Sequence, residues 1–137
     1  MKRTASAHWE GDLKTGKGNL SSQSTTLNKT QYSFNTRFAD GVGTNPEELL
    51  AAAHAGCFTM ALSMMLGQAG FTATSLDTIA TVELENLSVT GVHLSITGKV
   101  PNISAAKFSE ITKEAEKNCI ISRVLSVPIS SDATLVN

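Results

Sequence analysis

One continuous run of small and apolar residues, from Leu49 to Leu66, dominates the hydrophobic pattern of this chain. Such a run presents apolar side chains on every face of a helix, which is typical of a helix that is buried or crosses a membrane. Asn45 and Pro46 before the run are typical of a helix start, and Gly67 and Gly70 after it are typical of a helix end. The pattern therefore predicts one long helix in the middle of the chain.

The predicted central helix fits a buried position better than a membrane. Its length touches the lower limit for a span, but His54, Thr59 and Ser63 interrupt it and no basic residues flank it. A chain of 137 residues has too little material to cover such a helix on all sides, because small domains leave much of their surface exposed. We therefore expect a second copy of the chain to cover it in a symmetric dimer.

Shorter patterns on both sides of the central helix predict β-strands. Ala5–Trp9, Gly18–Ser22 and Tyr32–Phe38 are separated by turn residues and predict an N-terminal β-meander. Leu76–Leu87 and Val92–Val100 also have strand patterns, and apolar residues alternate in the second of them. We expect these last two strands to pair with each other.

An amphipathic helix and a closing strand complete the predicted elements. The helix begins at Ser104 and ends near Cys119, with charged residues on its other face. Its apolar face consists of Phe108, Ile111 and Ala115. A turn around Ser122 to Leu125 follows, and Val127–Leu135 is the predicted closing strand. The order of elements predicts a single α+β domain over residues 1–137, with antiparallel sheets.

Composition and charge narrow the classes of function. Hydrophobic residues make up 41% of the chain and charged residues 17%, as in folded soluble proteins. The 11 basic and 12 acidic residues are scattered, so we expect no nucleic-acid partner. Met1–Asp12 lacks the apolar run of a secretory signal, so we expect a cytoplasmic protein. In that reducing compartment cysteines are more often free, metal-binding or catalytic than permanently bonded.

The two cysteines, Cys57 and Cys119, are the main candidates for chemistry. Cys57 lies inside the apolar helix, where most cysteines are small core hydrophobes. Cys119 lies at a helix end, where free amides can stabilise a thiolate, although an incidental loop cysteine explains it equally well. His54 lies one turn before Cys57, so a Cys-His pair for acyl transfer is a further alternative. A metal site would need paired ligand spacings that the chain lacks, so we expect no metal.

Arg37 and Glu47 flank the start of the central helix. Glu47 precedes Cys57 by about 15 Å of helix, at ~1.5 Å per residue, so it cannot reach that sulfur within its own helix. In the first turn a carboxylate complements the positive helix end, which Glu48 could do equally well. Arg37 follows Tyr32–Thr36 near the end of a predicted strand and precedes a glycine-containing loop, where a surface arginine is the simplest explanation.

Taken together, these segments resemble the OsmC/Ohr family of osmotically inducible and organic-hydroperoxide-resistance proteins, and its OsmC branch in particular. The similarity spans nearly the whole chain, and its motifs occur in the family's order. They are Ala7-His8-Trp9-Glu10-Gly11, Asn35-Thr36-Arg37-Phe38, Gly43-Thr44-Asn45-Pro46-Glu47-Glu48-Leu49, Ala53-His54-Ala55-Gly56-Cys57-Phe58 and the lone Cys119 near the C-terminus.

The resemblance implies a cysteine-based peroxidase that reduces organic hydroperoxides, and hydrogen peroxide more weakly, without haem, flavin or metal. It implies an intertwined homodimer whose antiparallel sheets wrap around long buried central helices. Cys57 takes the peroxidatic role and Cys119 the resolving role. The resemblance also assigns Arg37 and Glu47 to the family's arginine-glutamate pair, which meets the cysteine across the subunit interface. The implied reductant is a dithiol, possibly of the lipoyl type.

One departure from the family pattern follows Cys119, where Ile120 stands in place of the usual proline. We expect a looser local turn there. The competing function is a non-catalytic, stress-related dimer or binding protein whose cysteines are incidental. Three apolar residues near Cys57 are candidates for contact with organic peroxides, although the core explains each of them as well: Phe58, Met60 and Met64.

Peroxide reduction by cysteine explains why an arginine would be needed. A thiolate attacks one peroxide oxygen, an alkoxide leaves, and the sulfenic acid condenses with a second thiol. Lowering a thiol pKa from about 8.5 to ~6 raises the thiolate fraction roughly thirtyfold. The less basic thiolate, however, reacts roughly tenfold more slowly. We therefore expect Arg37 to hold the peroxide and stabilise the alkoxide, with Glu47 fixing the guanidinium in a bidentate pair.

Overall fold

The computed structural model describes residues 1–137 and contains both helices and sheets. In chain order the elements are β1 (Ala5–Glu10), β2 (Lys17–Ser22), β3 (Thr30–Tyr32), α1 (Phe34–Phe38), α2 (Pro46–Gln68), β4 (Ser75–Glu85), β5 (Ser88–Lys99), α3 (Ala105–Asn118), α4 (Ile120–Val124) and β6 (Ile129–Leu135). The chain comprises two compact units, Met1–Leu49 and Leu50–Asn137. The α+β class is confirmed, and the single domain stays a prediction.

The first unit contains the antiparallel meander β1-β2-β3, which confirms the predicted meander and its first two strands. The rings of Trp9 and Tyr32 pack at 5.5 Å, and Gly18 lies beside both of them. None of the buried hydrophobic residues of the chain belongs to this unit. This unit therefore lacks a hydrophobic core of its own. A three-stranded sheet needs an apolar face packed against another element to be stable.

The chain after β3 forms a short helix where the sequence predicted a strand through Phe38. Ser33 and Thr36 explain the difference, because they form a reciprocal capping box. The Thr36 amide donates to Ser33 Oγ at 3.3 Å, and the Ser33 amide donates to Thr36 Oγ1 at 2.8 Å. These bonds satisfy amides that a helix start leaves without partners. Arg37 therefore lies on helix α1 rather than after a strand.

The long helix α2 begins at Pro46, as predicted, and Asn45 Oδ1 accepts a hydrogen bond from the Glu48 amide at 2.8 Å. Only one stripe of the helix is buried, formed by His54, Phe58, Leu62 and Leu66. Its other faces carry apolar residues that are exposed in the single chain, such as Met60 and Met64. By length and composition α2 would suffice to cross a membrane, a test that core helices of soluble proteins also pass.

The second unit contains the sheet β4-β5-β6. β4 and β5 pair antiparallel from Ser75↔Lys99 to Glu85↔Ser88, as predicted. β6 pairs parallel to β5, so the prediction of purely antiparallel sheets is wrong for this strand. Two parallel neighbours need a crossover connection, and α3 and α4 supply it between β5 and β6.

The core of the second unit lies between this sheet and the helices. β5 contributes the inward residues Val92, Leu94 and Ile96, and α2 contributes its buried stripe. The predicted apolar face of α3 is confirmed, since Phe108, Ile111 and Ala115 are all buried. The turn predicted after Cys119 is instead the helix α4, whose Ile121 packs against this core.

Gly98 of β5 lies against the ring of Phe108, and a Cβ atom there would collide with Phe108 Cζ. We expect Gly98→Ala to destabilise the protein by about 1–3 kcal/mol, because overpacking a close-packed core forces side chains off their rotamers. A thermal melt measures this as a lower Tm. The matched control is Gly67→Ala in α2, where an added Cβ meets nothing within 4 Å. That variant should be neutral or more stable, since alanine is the better helix former. Equal melting temperatures for Gly98→Ala and wild type would contradict the expectation.

Candidate active site

Cys57 lies on α2 beside the buried stripe, and its side chain is half-buried. Cys119 is almost completely buried, with an exposure of 1%. It ends α3, where its amide donates to the Ala115 carbonyl at 3.0 Å, and it caps α4, where the Ser122 amide donates to Cys119 Sγ at 3.4 Å. The two sulfur atoms lie 3.3 Å apart and both thiols are free. The structure thus brings together the two cysteines that the sequence singled out.

Burial raises the pKa of the Cys57 thiol above its ordinary value. The backbone amides of Ile121 and Ile120 act in the opposite direction, because they donate toward the sulfur and favour the thiolate. Cys119 raises the pKa again through its contact with Cys57 and through repulsion between two negative sulfurs. The net effect keeps Cys57 mostly protonated near neutral pH in the single chain.

An apolar cleft of about 430 Å³ opens beside the two sulfurs. Its walls are formed by Cys57, Met60, Ala61, Met64, Asn118, Cys119 and Ile120. The two methionines that the sequence named as candidate contacts therefore line the cleft. Phe58 does not, because it is completely buried in the core.

Arg37 and Glu47 also come together, as the sequence predicted, and form an ion pair. Arg37 donates from Nε at 3.0 Å and from Nη2 at 2.7 Å, and both bonds end on Glu47 Oε1. Glu47 therefore holds the guanidinium through two hydrogen bonds that share one carboxylate oxygen. Glu47 Oε2 is buried and has no hydrogen-bond partner in the chain.

Local hydrogen bonds position this ion pair. Asn45 Nδ2 donates to the carbonyl of Thr36 at 2.9 Å and ties the end of α1 to the start of α2. On the first turn of α2, Glu48 Oε2 accepts from Thr44 Oγ1 at 2.7 Å. Glu48 is thereby occupied, which leaves Glu47 as the carboxylate that meets Arg37.

His54 does not pair with Cys57, although the two residues lie one turn apart. Its Nε2 lies 2.7 Å from Ser122 Oγ, and its Nδ1 has no partner. Burial lowers the pKa of His54, so the ring is neutral at physiological pH. No local pattern predicts the contact with Ser122, because the two residues lie 68 positions apart along the chain. No three His, Cys, Asp or Glu side chains cluster as a metal site would require.

Comparison with known proteins identifies the family. A family model described as OsmC-like protein matches residues 39–132. Peroxiredoxin OsmC of Escherichia coli K12 is 49% identical over 139 residues, which covers 98% of this chain and 97% of that protein. The chain belongs to the OsmC-like family. The Shigella flexneri protein named Peroxiredoxin OsmC is also 49% identical to this OsmC-like chain over 139 residues. The resemblance to the OsmC branch is thus confirmed.

Solved structures confirm the OsmC-like fold. An OsmC-like protein of unknown function from Vibrio cholerae superposes with a TM-score of 0.77 at 15% identity, over 97% of this chain and 99% of that one. The organic hydroperoxide resistance protein OhrB of Bacillus subtilis superposes with a TM-score of 0.70 at 23% identity, over 97% and 98%. The expected arrangement of small sheets and one long helix is therefore the family's fold.

The contact between the two sulfurs makes the acidity of Cys57 depend on Cys119. We expect Cys119→Ala to lower the pKa of Cys57, because the contact and the repulsion that raise this pKa are removed. Iodoacetamide reacts with the thiolate, so its rate at Cys57 should rise at a lower pH in the variant than in wild type. Peptide mass spectrometry assigns the alkylation to Cys57. A rise at the same or a higher pH would show that Cys119 does not hold this pKa up.

Proposed function

We propose that this OsmC-like chain is a thiol-dependent peroxidase that reduces organic hydroperoxides, and hydrogen peroxide more weakly, to alcohols. The observation that carries the proposal is the 3.3 Å separation of two free cysteine sulfurs beside an apolar cleft. The name of the relative from Escherichia coli, Peroxiredoxin OsmC, supports the same reaction. Two neighbouring thiols can supply both electrons that a peroxide takes up.

Two steps reduce the peroxide, and a third step restores the enzyme. The Cys57 thiolate attacks one peroxide oxygen, the O–O bond breaks, and the departing alkoxide takes up a proton to become the alcohol. Cys57 is now a sulfenic acid. The Cys119 thiol condenses with it, forming a disulfide and releasing water. An external dithiol, for which we propose a lipoyl-type molecule, then reduces the disulfide and restores both thiols.

Exposure supports the assignment of these roles. Cys57 is half-buried and lines the cleft, so a peroxide in the cleft can reach its sulfur. Cys119 is 1% exposed, so dissolved peroxide meets it far less readily. Met60 and Met64 make the cleft wall apolar, which favours organic hydroperoxides over the fully hydrated hydrogen peroxide. We therefore assign attack to Cys57 and resolution to Cys119.

Arg37 and Glu47 are proposed as the site's electrostatic pair. A lower thiol pKa gains thiolate but loses nucleophilicity, so a guanidinium beside Cys57 raises the rate mainly by stabilising the departing alkoxide. A guanidinium suits that task, since its planar fork holds its direction when a carboxylate fixes one side. Glu47 accepts hydrogen bonds from Nε and Nη2 of Arg37. Nη1 of Arg37 is left without a protein partner and can donate to a peroxide oxygen.

We further propose a homodimer with sites at the subunit interface, in the cytoplasm, with no nucleic-acid or membrane partner. The exposed apolar faces of α2 and the lack of a core in Met1–Leu49 support a second copy as their cover. The resemblance to the OsmC/Ohr family adds that Arg37 and Glu47 of one chain serve Cys57 of the other. Two free cysteines agree with a reducing compartment.

Replacing each cysteine separately tests the reaction. We expect Cys57→Ser to abolish reduction of cumene hydroperoxide, because the attacking sulfur is gone. Cys119→Ser should consume about one peroxide per chain and then stall as sulfenic acid, which further peroxide overoxidises. Peroxide consumption in the presence of dihydrolipoamide, together with the intact mass of each variant, measures both outcomes.

A non-catalytic binding dimer makes the opposite prediction in the same assay. Wild-type protein would then consume no more than a trace of peroxide, and Cys57→Ser would behave like wild type. Full multiple turnover by Cys119→Ser would instead show that the external dithiol resolves Cys57 directly. Replacing dihydrolipoamide by thioredoxin or glutathione in the wild-type assay identifies the reductant that the enzyme prefers.

Mixing two inactive variants tests the shared site. Chains carrying Arg37→Ala and chains carrying Cys57→Ser are unfolded together and refolded, so that subunits pair at random. About half of the dimers are then mixed, and in each one site joins the intact Cys57 of the first chain to the intact Arg37 of the second. We expect roughly a quarter of wild-type activity to return.

The controls for this experiment are the two variants refolded alone, whose activities set the background. Mass spectrometry under native conditions confirms that mixed dimers have formed. If Arg37 serves the cysteine of its own chain, every site in every mixed dimer carries a lesion. Background activity from confirmed mixed dimers would therefore reject the shared site.

A further inference from the structure

The reaction proposed above leaves one buried polar contact near the cysteines unexplained. His54 is completely buried, and it is the only member of the α2 stripe that is not hydrophobic. Its Nε2 meets Ser122 Oγ of α4 at 2.7 Å. A buried neutral imidazole is costly unless it makes hydrogen bonds, so its retention among Phe58, Leu62 and Leu66 calls for a physical reason.

The neighbourhood of the ring indicates which nitrogen carries the proton. Nδ1 is buried without a partner, so a proton there would be an unsatisfied buried donor. Placing the proton on Nε2 avoids this and lets His54 donate to Ser122 Oγ. The neutral His54 ring on α2 then donates a hydrogen bond from Nε2 to Ser122 Oγ on α4.

Ser122 connects this bond to the resolving cysteine. Its side chain meets His54, and its backbone amide donates to Cys119 Sγ at 3.4 Å. It is also the only buried residue of α4. Ile120 and Val124 of the same helix are largely exposed, and the apolar contact of Ile121 lacks direction. Besides the Ile120 and Ile121 amides, which face the Cys57 sulfur, the bond to His54 is the directional side-chain contact that fixes α4, with its cap Cys119, against α2.

The condensation step is sensitive to the position of Cys119. The sulfurs lie 3.3 Å apart in the reduced chain, and a disulfide needs about 2.05 Å, so only a small approach is required. While Cys57 is a sulfenic acid, a second peroxide competes with Cys119 and would convert it to sulfinic acid. Displacing Cys119 by about an ångström slows condensation but leaves the competing reaction unaffected.

We propose that His54 is a positioning residue of the resolving step, whose hydrogen bond to Ser122 holds Cys119 within reach of Cys57 and thereby limits overoxidation of Cys57. This inference rests on the proposed peroxidase function. Only one step of the proposed reaction depends on the bond between His54 and Ser122. The attack on peroxide does not need this bond, and the condensation does. His54 touches neither the peroxide nor a reacting sulfur in this role.

Three variants test the bond. Ser122→Ala removes the hydroxyl but keeps the amide that donates to Cys119. His54→Leu removes the ring nitrogen and fills the core with an apolar side chain, so folding should be retained. His54→Gln keeps a donor close to the position of Nε2 and should restore much of the function. Thr112→Val is the matched control, because Thr112 is buried and its hydroxyl has no partner.

Single-turnover experiments with cumene hydroperoxide separate the two steps. Peroxide loss reports the attack, and the appearance of disulfide in acid-quenched samples, measured by mass spectrometry, reports the condensation. We expect His54→Leu and Ser122→Ala to keep the attack rate within about twofold and to slow condensation about fivefold, which is the effect of one lost hydrogen bond. The fraction of Cys57 found as sulfinic acid per turnover should rise by a similar factor. His54→Gln and Thr112→Val should stay close to wild type in both readouts.

Other results overturn the inference in distinguishable ways. Unchanged condensation and overoxidation in folded His54→Leu and Ser122→Ala, even with lower melting temperatures, would make the contact purely structural. Equal slowing of both steps would mean that the bond acts on Cys57 rather than Cys119, and this also rejects the inference. If wild-type protein consumes no peroxide or forms no disulfide, it is the proposed function that fails.

Discussion

The packing of α2 against the sheet β4-β5-β6 is the constraint on which the candidate site depends. The buried positions of α2 recur every four residues from His54 to Leu66, and this spacing fixes how the helix is rotated about its axis. At about 100° per residue, Cys57 then lies roughly a quarter turn from the buried stripe, while Met60 and Met64 lie roughly half a turn away. Cys57 is thus half-buried and the methionines are exposed because a single hydrophobic stripe sets the rotation of the helix.

The second sulfur reaches Cys57 because the chain changes direction at Cys119. This residue ends α3 and caps α4 at once, so its backbone and its sulfur both belong to the junction between two helices. The apolar face of α3 is buried in the same core as the α2 stripe, which carries the junction to the flank of α2. Ile120 begins α4, and its amide is one of the groups that favour a thiolate at Cys57. A proline, which the resemblance to the OsmC/Ohr family leads us to expect at this position, would have no such amide to offer.

The sequence predicted the long elements better than the short elements, and the candidate site residues lie together in the two expected pairs. Asn45, Pro46 and the apolar run predict α2, and the amphipathic pattern after Ser104 predicts α3, because capping and periodicity are local signals. The sequence pattern predicts a strand where the structure has α1, since Thr36 completes the capping box of this helix where glutamate or glutamine is usual. The parallel pairing of β6, helix α4 and the contact between His54 and Ser122 are tertiary features that no local pattern encodes. The cysteines and the Arg37-Glu47 pair were predicted from the family motifs, but the use of a single Glu47 oxygen depends on side-chain geometry.

Burial of Cys57 has opposite consequences for the steps of the proposed reaction. It raises the pKa of the thiol and makes the attacking thiolate scarce, which slows the first step. The same low-dielectric surroundings strengthen any donor that stabilises the departing alkoxide, so electrostatic stabilisation can offset the scarcity of thiolate. After the attack, the sulfenic acid is neutral and burial does not penalise it. Overoxidation requires an anionic sulfenate that attacks a second peroxide, and burial disfavours that anion just as it disfavours the thiolate. Burial of Cys57 therefore slows overoxidation of the sulfenic acid, which leaves it available for condensation as long as Cys119 is held in place.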